Sequence, residues 1–163
     1  MDNVAIFWIQ IITSVFVFSL VALWYVWPAL TKLSRNSALA PLLFVHVMRY
    51  LGLTTLVTGM IDPKLPKDFL STAAYGDVLA AALALASIFA LRSNTRVAVP
   101  LVWVFSAWGF LDMLIGLKST FQLNVASFDL GTFWYIYIFY APLVIVTHVM
   151  IVLILLKSRS WRK

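Results

Sequence analysis

Five apolar stretches, residues 4–30, 37–59, 69–91, 97–117 and 132–156, take up most of this chain. A bilayer core of about 30 Å needs about 20 apolar residues in an α-helix, which rises about 1.5 Å per residue. Each stretch meets that length. In hydrocarbon every backbone N–H and C=O must find a partner inside the protein, and a helix does this within one segment. The sequence therefore predicts an all-α integral membrane bundle of five transmembrane helices, forming one domain over residues 1–163. Composition excludes the alternative. Only 11% of the residues are charged and 63% are apolar, against about 25% charged in soluble domains. A soluble fold of this size lacks the interior to hide that much apolar surface.

Prolines and glycines punctuate the stretches. Pro28 closes the first helix, Pro41 lies in the first turn of the second and Pro100 in the first turn of the fourth. The segment from Ile61 to Lys67 holds two prolines and reads as a turn. Pro142 falls inside the fifth helix, where its ring and missing N–H predict a kink and a freed carbonyl near position 138. The first stretch lacks a basic leader and an A-x-A-like cleavage site, so it reads as a span rather than a signal peptide. The connector over 118–131 interleaves Phe121, Leu123, Val125 and Phe128 with polar residues. It reads either as an ordered connector or as a lid lying on the membrane surface.

Orientation follows from the basic residues. Lys32, Arg35, Arg92, Arg96, Lys157, Arg159, Arg162 and Lys163 fall on one side. Lys64, Lys67 and Lys118 fall on the other, together with Asp2, Asp62, Asp68 and Asp129. Lys and Arg are retained on the cytoplasmic side, which predicts N-out/C-in topology. Aromatic belts follow the same division, with Trp24, Tyr25, Trp27, Trp103 and Trp161 inside and Trp8, Tyr75, Trp134 and Tyr135 outside. The net charge of +6 is thereby an orientation signal, with the basic tail free to touch anionic lipid. No basic stripe interleaved with aromatics points to nucleic acid.

Five ionisable residues lie within the spans: His46, Arg49, Asp77, Asp112 and His148. A charged group at mid-membrane costs at least about 2.5–3.5 kcal/mol on insertion scales, so such groups turn inward and find partners. Counting residues from the outer ends at about 1.5 Å each, Asp77, Asp112 and Arg49 lie roughly 12, 8 and 15 Å deep. Arg49 can reach outward along its own stem, so the three can meet in the outer half. One Arg against two Asp leaves a formal charge of −1, most cheaply resolved by a proton on one carboxyl. Such a trio serves either as a packing ion pair or as a site for a ligand, a proton or a cation. His46 and His148 form a second layer at nearly equal depth. His46, Arg49 and Tyr50 share one face of the second helix. The two histidines can hydrogen-bond to Thr147 or Tyr140, relay protons, or serve as the two axial ligands of a b-type haem. Two histidines alone do not complete a zinc site.

Small residues surround the acids. Ala73, Ala74, Ala80, Ala81, Ala84 and Ser87 run beside Asp77, and Gly109 and Gly116 flank Asp112, with Trp108 alongside. Such stripes allow close helix approach and place both acids at seams. A milder stripe of Gln10, Thr13 and Ser14 lies on the first helix. The run from Trp134 to Tyr140 is an interface belt whose deeper members can line an apolar pocket.

The absence of cysteine excludes disulfides, thiolate metal sites and thiol nucleophiles. No G-x-S-x-G, Walker, H-E-x-x-H or G-x-G-x-x-G motif occurs, and glutamate is absent. The sequence thus points away from an enzyme. It points toward a small binding or transport protein, with Arg49, Asp77, Asp112, His46, His148, Tyr50 and Trp108 as the site. Transport through so slim a bundle implies a homo-oligomer. The alternatives are a haem-binding redox subunit with His46 and His148 as axial ligands, or an interaction protein whose buried charges only fix packing.

The segments His46-x-x-Arg49-Tyr50-Leu51-Gly52-Leu53, Ala74-Tyr75-Gly76-Asp77, Leu111-Asp112-x-Leu114 and Pro142-Leu143-x-x-Val146-Thr147-His148 resemble stretches of small bacterial multi-span integral membrane proteins of unassigned activity. The resemblance covers the second to fifth helices. It implies a bacterial inner-membrane protein and carries no reaction, cofactor or partner.

Overall fold

A computed structural model gives the structure, in which residues 2–157 are described. Arg159, Trp161, Arg162 and Lys163, assigned above to the cytoplasmic side, lie outside the described residues. The fold is all-helical among the described residues. Five helices are long and apolar enough to cross a membrane: α1 (Asn3–Leu30), α2 (Arg35–Leu56), α3 (Lys67–Arg92), α4 (Ala98–Gln122) and α5 (Phe133–Leu156).

Their ends have local causes. Asp2 caps α1, its Oδ1 accepting from the Ala5 N–H at 2.7 Å, and Ser34 caps α2 by accepting from Ser37 at 3.3 Å. Asn94 and Asn124, with φ of +48° and +47°, follow α3 and α4 in the left-handed conformation that closes a helix. Helix α4 runs past the expected end at residue 117. Its polar last turns remain helical, and the Thr120 hydroxyl donates back to the Gly116 carbonyl at 2.8 Å.

Two prolines are accommodated by the same device. A wide π-type turn spans Ala22–Val26 ahead of Pro28, and another spans Ile136–Tyr140 ahead of Pro142. Each turn ends two residues before its proline. Proline cannot donate to the carbonyl four residues back and its ring collides with it; a wider turn moves that carbonyl aside and the helix continues. Pro28 therefore lies within α1, one turn from its end. The disturbance expected near position 138 is present as the second π turn.

The helices pack as a bundle in which α3 lies against both α2 and α4, while α5 joins α2 to α1. Two apolar clusters organise it. The half of the bundle at the α1–α2 connector, termed the inner half, is closed by a cluster that includes Leu39, Leu43, Ile88, Val102, Phe105 and Ile151, each at most 2% exposed. The opposite end, termed the outer end, is held by Phe7, Leu65, Val125, Ala126 and Leu130. Val125 and Leu130 belong to the connector between α4 and α5, so this connector is an ordered cap with its apolar side chains turned into the bundle. Phe121, at the end of α4, stacks on Trp8 with ring centroids 4.5 Å apart. The Asp62 N–H donates to the Asp129 carbonyl at 2.9 Å, tying the two outer connectors together. On the opposite surface of α1, Ile12, Phe16, Leu23, Trp24 and Tyr25 are all more than 60% exposed. An apolar face of that extent requires an apolar surrounding.

Interiors packed to this density tolerate added volume poorly. Ala84→Leu, at a fully enclosed position of the inner cluster, should destabilise the protein by about 1–3 kcal/mol. The check is a lowered thermal unfolding midpoint in detergent. Leu85→Ala, at a position 40% exposed, should leave that midpoint near the parent value.

Candidate functional site

The site begins with a change of winding in α2. From Met48 to Leu56 the helix tightens to a 3₁₀ form, in which residues three apart eclipse one another. Arg49, Gly52 and Thr55 therefore stand in one straight row, and all three are buried. The Thr55 hydroxyl donates to the Gly52 carbonyl at 2.8 Å and to the Leu70 carbonyl at 3.2 Å, which fastens the row to α3.

Arg49 reaches from this row to two acids on two other helices. Its Nε donates to Asp77 Oδ1 at 2.7 Å, and Nη2 pairs with the same oxygen at 2.7 Å. Nη2 also pairs with Asp112 Oδ2. One edge of the guanidinium thus bridges α3 and α4, and Nη1 is turned away from both acids. The three outer-layer residues expected to meet do meet.

Both acids are seated against a glycine of a neighbouring helix. A Cβ at Gly52 would lie 2.9 Å from the Asp77 Cβ, and one at Gly76 would lie 3.0 Å from the Asp112 Cγ and closer still to its Oδ1. A Cβ at Gly109 would lie 3.1 Å from the His148 ring, with Arg49 Nη1 at an ordinary contact distance of 3.4 Å. Thus α2 makes room for the acid of α3 and α3 for the acid of α4, while Gly109 of α4 makes room chiefly for His148 of α5. Glycine in a helix interior costs roughly 0.5–1 kcal/mol relative to alanine, so Gly52 and Gly76 mark where backbone must approach charge. Gly109 was visible in the sequence as part of a small-residue stripe. Gly52 and Gly76 were not singled out, although their spacing, three after Arg49 and one before Asp77, was the available signal. Gly116 has open space around it and does not form part of a seam.

His46 and His148 lie in contact beneath the trio, their rings edge to face with centroids 5.4 Å apart. His148 Nε2 is 3.1 Å from the Ser106 carbonyl, and a carbonyl only accepts, so Nε2 carries the proton. The Thr147 hydroxyl is 2.8 Å from the Leu143 carbonyl and 3.2 Å from His46 Nε2. Its single proton goes to the carbonyl, so it accepts from His46 Nε2. Thr147 thus partners His46, its neighbour across the bundle. Tyr140 partners neither ring; its hydroxyl donates to the Val45 carbonyl at 2.7 Å. Bis-imidazole haem ligation places the porphyrin between two rings whose ligating nitrogens face the iron. Here the rings touch and both Nε2 atoms are engaged as donors, so axial ligation requires them to separate. The buried His46 Nδ1, His148 Nδ1, Arg49 Nη1 and Ser106 Oγ have no hydrogen-bond partner among the described residues. They extend a polar seam from the trio to the middle of the bundle.

Above the trio lies a pocket of about 410 Å³. Arg49, Asp77 and Asp112 form its polar floor. Trp8, Phe69, Phe133, Ile136, Tyr137 and Tyr140 supply much of its apolar wall. The pocket exists because α4 and α5 meet at Gly109, Ser106 and His148 and separate above that level, where the outer turns of α5 pack on α1 instead. The deeper tyrosines of the aromatic run line it. Trp8, Phe69 and Phe133 were not foreseen as pocket residues, since their partners come from distant parts of the chain.

Two expected site residues lie elsewhere. Tyr50 is 47% exposed: the tightening of α2 from Met48 onward rotates it off the face that His46 and Arg49 share. Trp108 lies on the α3–α4 seam, its indole N–H donating to the Gly76 carbonyl at 3.3 Å. It braces the backbone beside the trio and does not line the pocket.

Residues 6–156 match the model of a family described as Domain of unknown function (DUF8737). Neither a curated protein nor a solved structure matches the chain.

The glycine seats make a direct prediction. Gly76→Ala should lower the thermal midpoint, because the added methyl meets the Asp112 carboxylate. Combined with Asp112→Ala, the loss should fall short of the sum of the two single losses, by a coupling of about 0.5–3 kcal/mol. Gly116→Ala should leave stability unchanged or slightly raised. Equal effects of the two alanines would contradict the seat.

Proposed function

The chain belongs to the DUF8737 family, and we propose that it is a multi-pass protein of a bacterial inner membrane, N-terminus outside and C-terminus cytoplasmic, that binds a small ligand or protons above Arg49, Asp77 and Asp112. The observation that carries this reading is an ion-paired trio forming the floor of a pocket of about 410 Å³. A pair whose only task is packing has no use for open space beside it, since neighbouring apolar side chains can close around it. Here the space above the charges is open. Its size falls in the range of about 300–1,000 Å³ usual for ligand sites, with apolar walls and a few convergent polar groups.

The trio carries a formal charge of −1. With no cation bound, one carboxyl takes a proton, so a proton and a cationic group compete for the same oxygens. The polar seam through Ser106, His148 and His46 offers donors and acceptors below the floor. The inner apolar cluster closes the cytoplasmic half, so this conformation favours access from the outer half. Passage across the membrane requires a second conformation in which that cluster parts. The homo-oligomer belongs to the transport form of the proposal.

Two measurements test this reading. The chain has no cysteine, so single substitutions report topology cleanly. In intact cells a membrane-impermeant maleimide should label Lys64→Cys and spare Arg96→Cys until the membrane is permeabilised. The reverse pattern would invert the proposed orientation. In lipid-embedded protein, pH-induced infrared difference spectra should contain a protonated-carboxyl band that shifts or disappears in Asp77→Asn or Asp112→Asn. If no such band is found and both variants only unfold more readily, the charges are packing elements.

A further inference from the structure

The charges of the pocket floor are not presented equally. Asp77 and Asp112 side chains are 28% and 15% exposed, whereas Arg49 is 5% exposed. The edge of the guanidinium that faces the acids is used by them, and Nη1 lies against Gly109, beside the His148 ring and away from the acids. A molecule entering the pocket therefore meets carboxylate oxygens, with the arginine behind them. A third carboxylate, Asp68 in the first turn of α3, lines the same pocket nearer the outer end. No lysine lines it.

The wall has its own chemistry. Trp8, Phe69, Phe133, Tyr137 and Tyr140 supply aromatic rings around the acids, and the faces of such rings attract a cation within about 6 Å of the centroid. Hydration, which competes with that attraction, is weak for organic cations with apolar substituents. The pocket also borders the outer surface of the bundle. Ile115, Leu117 and Ile145 line it and are at the same time 45%, 48% and 38% exposed. In the proposed membrane setting that opening faces hydrocarbon.

We propose that the pocket takes a lipophilic organic cation, an amine or onium ion with an apolar or aromatic body, whose positive group sits at Asp77 and Asp112 and displaces the proton held there. The inference rests on the pocket reading above and narrows its ligand to one charge class. No bond is made or broken except the transfer of one proton from a carboxyl to solvent.

The test uses two probes of matching shape and opposite charge, tetraphenylphosphonium and tetraphenylborate. Each is titrated into the purified full chain in detergent by isothermal calorimetry, in two buffers of different ionisation enthalpy. Tetraphenylphosphonium should bind with a buffer-dependent heat that reports proton release, and tetraphenylborate should bind about tenfold or more weakly, a ratio that one charge contact suffices to supply. Asp77→Asn and Asp112→Asn should each weaken phosphonium binding to a similar degree. Should either variant fail to fold, Ile145→Trp serves in its place, filling the pocket while leaving the trio intact; it should abolish binding. Equal binding of both probes would overturn the cation assignment and describe an apolar pocket only. If neither probe binds while the infrared carboxyl band is present, the cation assignment fails and the proton-binding reading stands. If neither probe binds and the band is absent, both fail.

Discussion

The bundle is organised around one guanidinium. Arg49 leaves α2 and bridges carboxylates on α3 and α4, so three helices are held at fixed mutual height and rotation by a single side chain. Removing Arg49 would leave two carboxylates side by side without a countercharge, typically a loss of about 3–5 kcal/mol. The glycine seats follow from the same demand. The two carboxylates reach the guanidinium where neighbouring backbone draws close to them, at Gly52 and Gly76.

In α2 and α5 irregular backbone lies at the same level. The 3₁₀ segment of α2 aligns Arg49 with Gly52 and Thr55, and the π turn of α5 carries Tyr137 and Tyr140, both of which line the pocket. Departures of both kinds are common where a helix serves a site. Below this level α2 and α5 wind as ordinary α-helices, and close-packed aliphatic side chains fill the space between the helices. The molecule thus divides into a closed inner half and an outer half in which helices separate around charge. Four buried polar atoms with no partner among the described residues lie at the boundary between the two halves. Their desolvation is costly unless a second state or a bound molecule meets them.

Much of this was legible in the chain, and for definite reasons. Span length and the scarcity of charge identified the five helices, because hydrocarbon thickness fixes both. The cost of burying Arg49, Asp77 and Asp112 indicated that they gather, and equal depth brought His46 and His148 into contact. What was not legible depends on local winding and on distant contacts. Tyr50 was assigned to the site on the assumption of 3.6 residues per turn, and the overwound α2 turns it outward. Trp108 stands one turn before Asp112 in the sequence, but depth and spacing alone do not reveal that its N–H goes to the Gly76 carbonyl. The pocket wall of Trp8, Phe69 and Phe133 draws on both termini of the bundle and follows from no periodicity. The connector ahead of α5 is shorter than span length predicts, since residues 118–122, polar except for Phe121, remain helical.

The account depends on the trio being joined in a bilayer. Solid-state nuclear magnetic resonance on lipid-reconstituted protein, with ¹⁵N-labelled arginine and ¹³C-labelled aspartate, measures this through dipolar dephasing. The Arg49 guanidinium nitrogens should be dephased by the carboxyl carbons of both Asp77 and Asp112, at separations that fit direct hydrogen bonds. Dephasing by neither carbon, or by only one, would contradict the bridge and with it the pocket floor.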